Sequence, residues 1–268
     1  MTLRDLMGTG APEVEISGLA YSSRSVTPGA LFFCVPGFSA DGHDFAPDAV
    51  ERGAAALVTE RRLDLGVPEV VVEDVRAAMG PAAARFHGDP TAALGVVGIT
   101  GTNGKTTTAF LVRHLLEQAG RQTGLLGTVK RVVGGAEEEV ERTTPEAIDL
   151  QATFRRMLDG GDRAAAMEVS SHALELGRVA GITFACRVFT NLTQDHLDFH
   201  DTMEAYFAAK RRLFDGPGLA VVNVDDPYGR RIAEEVEAVT FAIDGEADYR
   251  AREIDFDVSG SRFTCDAP

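Results

Sequence analysis

Tryptophan is absent from this 268-residue chain, aromatic residues make up 7% of it, and cysteine occurs three times. Cys34, Cys186 and Cys265 are odd in number and far apart. This excludes a self-contained disulfide framework and a paired-cysteine metal cluster, and it fits a reducing compartment. Each reads as a small buried apolar residue. No apolar run approaches the ~18 residues of a transmembrane helix. Met1-Thr2-Leu3-Arg4-Asp5-Leu6 lacks the apolar stretch of a secretory signal, so the expectation is a cytoplasmic protein without membrane insertion. Positive charge is scarce: 26 Lys and Arg against 41 Asp and Glu give a formal net charge of −15. Nucleic acid and anionic membrane surfaces are therefore poor partners, although a local cationic pocket for a phosphorylated ligand is compatible with that total.

What remains is an ordinary globular composition, 44% hydrophobic and 25% charged, long enough for two domains. Residues 1–90 alternate short strands (Leu31–Val35, Ala56–Val58, Val70–Val72) with helical stretches, an α/β unit closed by the helix breaker His87-Gly88-Asp89-Pro90. From 91 to 268 strands and helices alternate again, which predicts a mostly parallel sheet with helices on both faces. Its strands are placed at Leu94–Ile99, Gly124–Gly127, Ala164–Val169, Phe184–Thr190 and Leu219–Val224. A hairpin turns at Gly134-Gly135, and helices cover Pro145–Leu158 and Met203–Phe214. Three short strands (Tyr249–Arg252, Ile254–Val258, Arg262–Thr264) end the chain, and the last lies so close to Pro268 that an interrupted fold is expected.

The most informative segment is Val96-Val97-Gly98-Ile99-Thr100-Gly101-Thr102-Asn103-Gly104-Lys105-Thr106-Thr107. An apolar strand enters a glycine-rich turn and a Lys-Thr pair opens a helix, the arrangement that cradles a nucleoside triphosphate. Small residues let backbone N–H groups close on phosphate oxygens, Lys105 reaches the outer phosphates, and the Thr106 hydroxyl is placed to bind Mg²⁺. In the helix, Leu111, Val112, Leu115, Leu116 and Ala119 fall on one face, and Gly120 supplies a stop. The match is imperfect: Ile99 stands where the usual loop has its first glycine. The bland alternative is an ordinary strand-to-helix turn.

Two further segments sit at expected strand ends. Ala164–Val169 closes on Glu168, an acid placed to reach a loop-bound Mg²⁺ or simply to face solvent. Asn191-Leu192-Thr193-Gln194-Asp195-His196-Leu197-Asp198-Phe199-His200 groups carboxylates and imidazoles that suit a divalent ion, or form a plain polar loop. Lys210, on spacing alone, is a solvated helix charge. The only asparagines are Asn103, Asn191 and Asn223, followed by Gly, Leu and Val. The Asn-Lys-x-Asp segment that reads guanine is thus missing, which disfavours a nucleotide switch.

Gly101-Thr102-Asn103-Gly104-Lys105-Thr106, Glu168-Val169-Ser170-Ser171-His172, Asn191–Asp198 and Ala208-Ala209-Lys210, in this order, resemble the ATP-dependent Mur ligases. Ser22–Phe32, Asp41-Gly42-His43-Asp44-Phe45 and Thr143-Thr144-Pro145-Glu146 are most similar to the branch that adds the third residue of the peptidoglycan stem peptide. The resemblance implies a UDP-muramyl-binding domain at 1–90 and an ATP-binding central domain at 91–268 that is incomplete, with the family's C-terminal domain missing. It implies an ATP- and Mg²⁺-dependent amide ligase acting through an acyl phosphate. The acceptor is UDP-MurNAc-L-Ala-D-Glu, the incoming amino acid is meso-diaminopimelate or L-lysine, and the protein is a monomer. By the same resemblance Lys105 and a carbamylated Lys210 are catalytic. Gly101, Thr102, Asn103, Gly104, Lys105, Thr106 and Thr107 hold ATP. Thr106, Glu168, His196 and Lys210 serve Mg²⁺. Ser23, Thr143, Thr144, Ser170 and Arg178 contact the muramyl substrate, with Phe38-Ser39-Ala40 as a second nucleotide-contact segment. The chain alone is expected not to catalyse ligation. A folylpolyglutamate-type ligase, or a binding module without turnover, are the alternatives.

Overall fold

The computed structural model describes residues 1–37, 40–140, 142–195, 197–258 and 260–268. Within them the chain divides into two compact units. Unit 1 comprises Met1–Thr91 together with Pro145–Arg155 and Leu176–Ile182, and unit 2 comprises Ala92–Thr144, Arg156–Glu175 and Thr183–Pro268. The two later segments of unit 1 carry no break in composition that would announce them.

Unit 1 is built on four parallel strands in sequence order: β1 (Gly18–Ala20), β2 (Ala30–Phe33), β3 (Ala56–Thr59) and β4 (Glu69–Val71). Every residue of β2 and β3 is buried, as expected of strands covered on both faces. Alternate side chains feed two cores. Leu31, Phe33, Ala56 and Val58 pack with Leu3 and Leu6 of α1 (Leu3–Met7) and with Val75 and Met79 of α3 (Val75–Phe86). Phe32, Cys34 and Leu57 pack with Ala46 and Ala49 of α2 (Ala46–Glu51).

Unit 2 holds a ten-stranded sheet. In chain order its strands are β5 (Gly95–Thr100), β6 (Thr123–Leu126), β7 (Arg131–Val133), β8 (Ala136–Glu138), β9 (Ala164–Glu168), β10 (Phe184–Phe189), β11 (Leu219–Asn223), β12 (Ala238–Ala242), β13 (Tyr249–Asp257) and β14 (Gly260–Asp266). Their spatial order is β14-β13-β12-β11-β10-β5-β9-β6-β7-β8. The run from β13 to β6 is parallel, and both edges finish in antiparallel pairs. The helices are α4 (Lys105–Gln118), α5 (Ala147–Asp159), which starts among unit 1 residues, then α6 (Ser171–Glu175), α7 (Leu197–His200), α8 (Met203–Arg211) and α9 (Pro227–Glu235). The α/β class, the mostly parallel sheet and the Gly134-Gly135 hairpin match the sequence expectation.

Two expectations need correction, and the face expected on α4 is only partly buried. Val112 is half-buried and packs on the core beside Ile99, Ala109 and Ala166, whereas Leu111 and Leu115 are 57% and 66% exposed. That face is wide: positions 111 and 115 lie one residue, about 100° of helix rotation, away from 112 and 116. At the chain's end, Tyr249–Arg252 and Ile254–Val258 are not separate strands. They belong to β13, whose register to β14 shifts between Arg252 and Asp255 around Glu253, at φ +52°. That bulge adds a residue without ending the strand. Of the cysteines only Cys34 is buried; Cys186 is half-buried and Cys265 exposed.

Candidate functional site

β5 lies between β9 and β10, and the loop leaving its C-terminal end runs into α4. Register aligns Ile99 with Glu168 on one side and with Val188 on the other, so the last residue of β9 and the loop after β10 flank the glycine-rich turn. This is the crevice beyond the carboxyl ends of parallel strands where ligands bind in open α/β sheets. The two glycines of the turn are required for different reasons. Gly104 caps α4 at φ +84° with open space around a would-be Cβ. Gly101, at φ +147°, has Thr190 Oγ1 1.9 Å from where a Cβ would sit.

Two ammonium groups converge on this turn. Lys105 Nζ donates to the carbonyls of Gly101 and Thr102 at 2.9 and 2.8 Å. Lys210 Nζ donates to the same Gly101 carbonyl at 2.9 Å. Lys210 is 1% exposed and lies over the Tyr206 ring, so it is not a solvated helix charge. Burial, with the Lys105 charge second, brings its pKa down to about 7. The Lys105 pKa is also lowered by burial, against the opposing pull of Glu168 and Asp195. Helix α8 supplies Lys210 because Thr202 caps its start through the Ala205 N–H, and Tyr206, Phe207 and Ala209 bury its inner face.

Glu168 is likewise buried, at 1% exposure, rather than facing solvent. Its carboxylate accepts the Thr128 N–H at 2.8 Å and the Thr128 hydroxyl at 3.2 Å. The Thr128 hydroxyl also meets that of Thr143 at 3.1 Å. Thr144 Oγ1 donates to the Glu168 carbonyl and accepts the Ser170 N–H. Ser170 in turn accepts the Ala173 N–H, opening α6. Thr106, Glu168, Lys105, Lys210, Thr143, Thr144 and Ser170 thus all belong to unit 2, at or next to the ends of β5, β6, β9 and α8.

In unit 1, Ser23 is buried in a 3₁₀ turn and hydrogen-bonds Asp48. Arg178 pairs with Glu146 at 2.9 Å, and Arg76 reaches the same carboxylate at 3.5 Å. His43 is buried, with Nδ1 2.6 Å from Asp41 Oδ1 and Nε2 accepting the Glu60 N–H. The hydrogen bonds from His43 hold the Asp41 carboxyl down at about 2. Of the second nucleotide-contact segment, Phe38 and Ser39 lie outside the described residues, as does His196.

The Asp/His segment is described only on either side of His196. Among the described residues no group of three or more His, Cys, Asp or Glu side chains is arranged to hold a metal. Asp198 is exposed, while His200 is buried against the rings of Tyr206 and His172. Residues to which the sequence assigned no individual role also take part. Thr128 holds Glu168, Tyr206 meets the Thr102 hydroxyl at 3.2 Å, and Thr190 and Asn191 grip the turn. A signal was available: each lies at or just beyond a strand end, or one helical turn from Lys210.

Known proteins resemble this chain in sequence and in fold. A profile of the Mur ligase middle domain matches residues 99–267, and one described as Mur ligase family, catalytic domain, matches residues 15–87. Among curated relatives, the UDP-N-acetylmuramoyl-L-alanyl-D-glutamate–2,6-diaminopimelate ligase of Listeria monocytogenes (serotype 4b, strain F2365) is 45% identical over 286 aligned positions, covering 100% of this chain and 58% of that protein. The ligase of the same name from Solibacter usitatus (strain Ellin6076) is 48% identical and is covered to 54%. A solved structure of a ligase with this name superposes with a TM-score of 0.87 at 28% identity, covering all of this chain and 57% of that one. The chain therefore spans little more than half the length of the relatives it matches. With the middle-domain match alone spanning well over half of its residues, the chain belongs to the Mur ligase family.

Proposed function

We propose that this chain supplies the UDP-muramyl-binding and ATP-binding parts of a ligase that joins 2,6-diaminopimelate to UDP-MurNAc-L-Ala-D-Glu, in the cytoplasm, with residues 1–90 serving the acceptor and 91–268 the nucleotide. The observation that carries the reading is the convergence of Lys105 and Lys210 on one glycine-rich turn at a helix start, with buried Glu168 at the end of the adjoining strand. The curated relatives, whose names give diaminopimelate as the amino acid, support the choice of substrate.

The chemistry follows in two displacements. The acceptor's glutamate carboxylate attacks the γ-phosphorus of ATP, the bridging oxygen leaves with ADP, and an acyl phosphate forms. The amine of the incoming amino acid attacks its carbonyl carbon, and the tetrahedral adduct expels phosphate to leave the amide. Lys105 and the first-turn N–H groups of α4 offset charge as it shifts onto the leaving oxygen. Thr143, Thr144 and Ser170 in unit 2, and Ser23 and Arg178 in unit 1, are assigned to the muramyl substrate. Arg178 offers a fork that matches a carboxylate or phosphate.

The hydroxyl of Thr106 and the carboxylate of Glu168 are hard oxygen donors of the kind Mg²⁺ takes, one or two from the protein with water and phosphate completing the shell. Bound there, Mg²⁺ would screen the repulsion between two polyanionic substrates. Lys210 and His196 are assigned to a second ion. An amine with a pKa near 7 is substantially neutral at physiological pH, the form in which Lys210 reacts with carbon dioxide and sheds a proton to become an anionic carbamate.

Calorimetric titration of the chain with UDP-MurNAc-L-Ala-D-Glu and with Mg·ADP tests the reading. Saturable binding of both is expected. Binding of the nucleotide alone would leave a phosphate-loop ligase of another substrate, such as a folylpolyglutamate-type enzyme. Binding of neither by folded protein would overturn the proposal.

A further inference from the structure

The glycine missing at position 99 leaves open what holds the phosphate loop in shape. Asn191 takes hold of the Asn103 backbone from both sides. Its Oδ1 accepts the Asn103 N–H at 2.9 Å and its Nδ2 donates to the Asn103 carbonyl at 3.1 Å, which together fix the orientation of the amide. Its own carbonyl accepts the Thr102 N–H at 2.8 Å. Its neighbours add to the grip. The Thr190 hydroxyl donates to the Asn103 carbonyl at 2.7 Å, and the Thr193 N–H donates to Thr102 Oγ1 at 3.0 Å. Asn103 Nδ2 reaches Thr193 Oγ1 at 3.3 Å.

The gripping segment is itself anchored. Asp226 accepts the Leu192 N–H through Oδ2 at 2.8 Å, while its Oδ1 caps α9 at Tyr228 and Gly229. Asn223 Nδ2 donates to the Thr190 carbonyl at 2.8 Å. A continuous set of hydrogen bonds therefore runs from the start of α9, through residues 190–193, to the turn. It also divides the turn's donors. The N–H groups of Thr102 and Asn103 point to Asn191, so the donors available to phosphate begin at Gly104, with the first turn of α4.

We infer that Asn191 is a positioning residue of the nucleotide site: it sets the peptide planes at Thr102 and Asn103, and through them the direction in which the α4 N-terminus presents its donors. Asn103 accordingly serves through its backbone as the gripped member rather than as a direct phosphate donor. The inference rests on the phosphate-site reading above.

The test compares wild type with Asn191→Ala and Asn191→Asp in two measurements: affinity for Mg·ADP, with UDP-MurNAc-L-Ala-D-Glu as control, and hydrogen exchange of the Asn103 amide. Asn191→Ala is expected to weaken Mg·ADP by about tenfold or more, as loss of a pair of hydrogen bonds predicts, with the control affinity unchanged. Its Asn103 amide should exchange faster. Asn191→Asp, which keeps the acceptor, should retain that protection. Wild-type Mg·ADP affinity in Asn191→Ala, or an equal loss of protection across core amides in both variants, would overturn the inference alone. Failure of the wild-type chain to bind Mg·ADP would overturn the phosphate-site reading along with it.

Discussion

At the scale of single residues, Lys210 and Glu168 are ionisable groups whose burial the sequence did not announce. Glu168 follows four apolar residues on a strand and Lys210 sits in a mixed helix; only the packing of Tyr206, Phe207 and Ala209 reveals that the lysine points inward. Because the Lys210 pKa falls to about 7 in the folded chain, unfolding between that value and the ordinary lysine value near 10.5 takes up a proton. Stability from this group therefore rises as pH rises through that window and is lowest below it. Denaturant unfolding at pH 7 and pH 9.5 should show this rise in wild type, and Lys210→Met should be flatter by that component. For Glu168, Thr128→Val removes a hydroxyl donor from a buried carboxylate. A loss of roughly 1–2 kcal/mol is expected in the same assay, with secondary structure by circular dichroism unchanged.

At the scale of elements, the turn between β5 and α4 separates two penalties that glycine avoids. Gly104→Ala meets no atom within 4 Å, so its cost is backbone strain alone, about 1–2 kcal/mol for a left-handed residue. Gly101→Ala adds a collision with the Thr190 hydroxyl to an unfavourable φ and should cost more. Thermal unfolding of both variants checks the order, and equal costs would show that the Thr190 contact relaxes freely. Much of this element was legible: an apolar run, three glycines and a Lys-Thr pair give strand, turn and helix from local chemistry. The grip of Asn191 was not, because it joins residues 88 positions apart and depends on which strands become neighbours. β12 and α9 also escaped notice. β12 is short and only partly buried, and α9 opens on Pro227, which reads as a breaker until Asp226 is recognised as its cap.

At the scale of the whole molecule, the residues assigned to the nucleotide lie in one compact unit while those assigned to the muramyl substrate come from both, so a substitution confined to the phosphate loop should leave the muramyl ligand's affinity alone. Lys105→Ala is expected to lower Mg·ADP affinity by at least about tenfold through loss of a charge-assisted contact, and to leave UDP-MurNAc-L-Ala-D-Glu affinity and unfolding temperature near wild type. Unchanged Mg·ADP affinity would remove Lys105 from the site. The class of each unit was readable from strand–helix alternation. The return of residues 145–155 and 176–182 to the first unit was not, since it is a property of chain path and not of composition. The place of Lys105 at the glycine-rich turn has a kinetic consequence in a chain of net charge −15. At long range an approaching nucleotide is repelled by the protein as a whole, and the Lys105 ammonium attracts it only within a Debye length, about 8 Å at physiological ionic strength. Added salt should thus quicken encounter while loosening the final grip, so that the association rate and the affinity move in opposite directions.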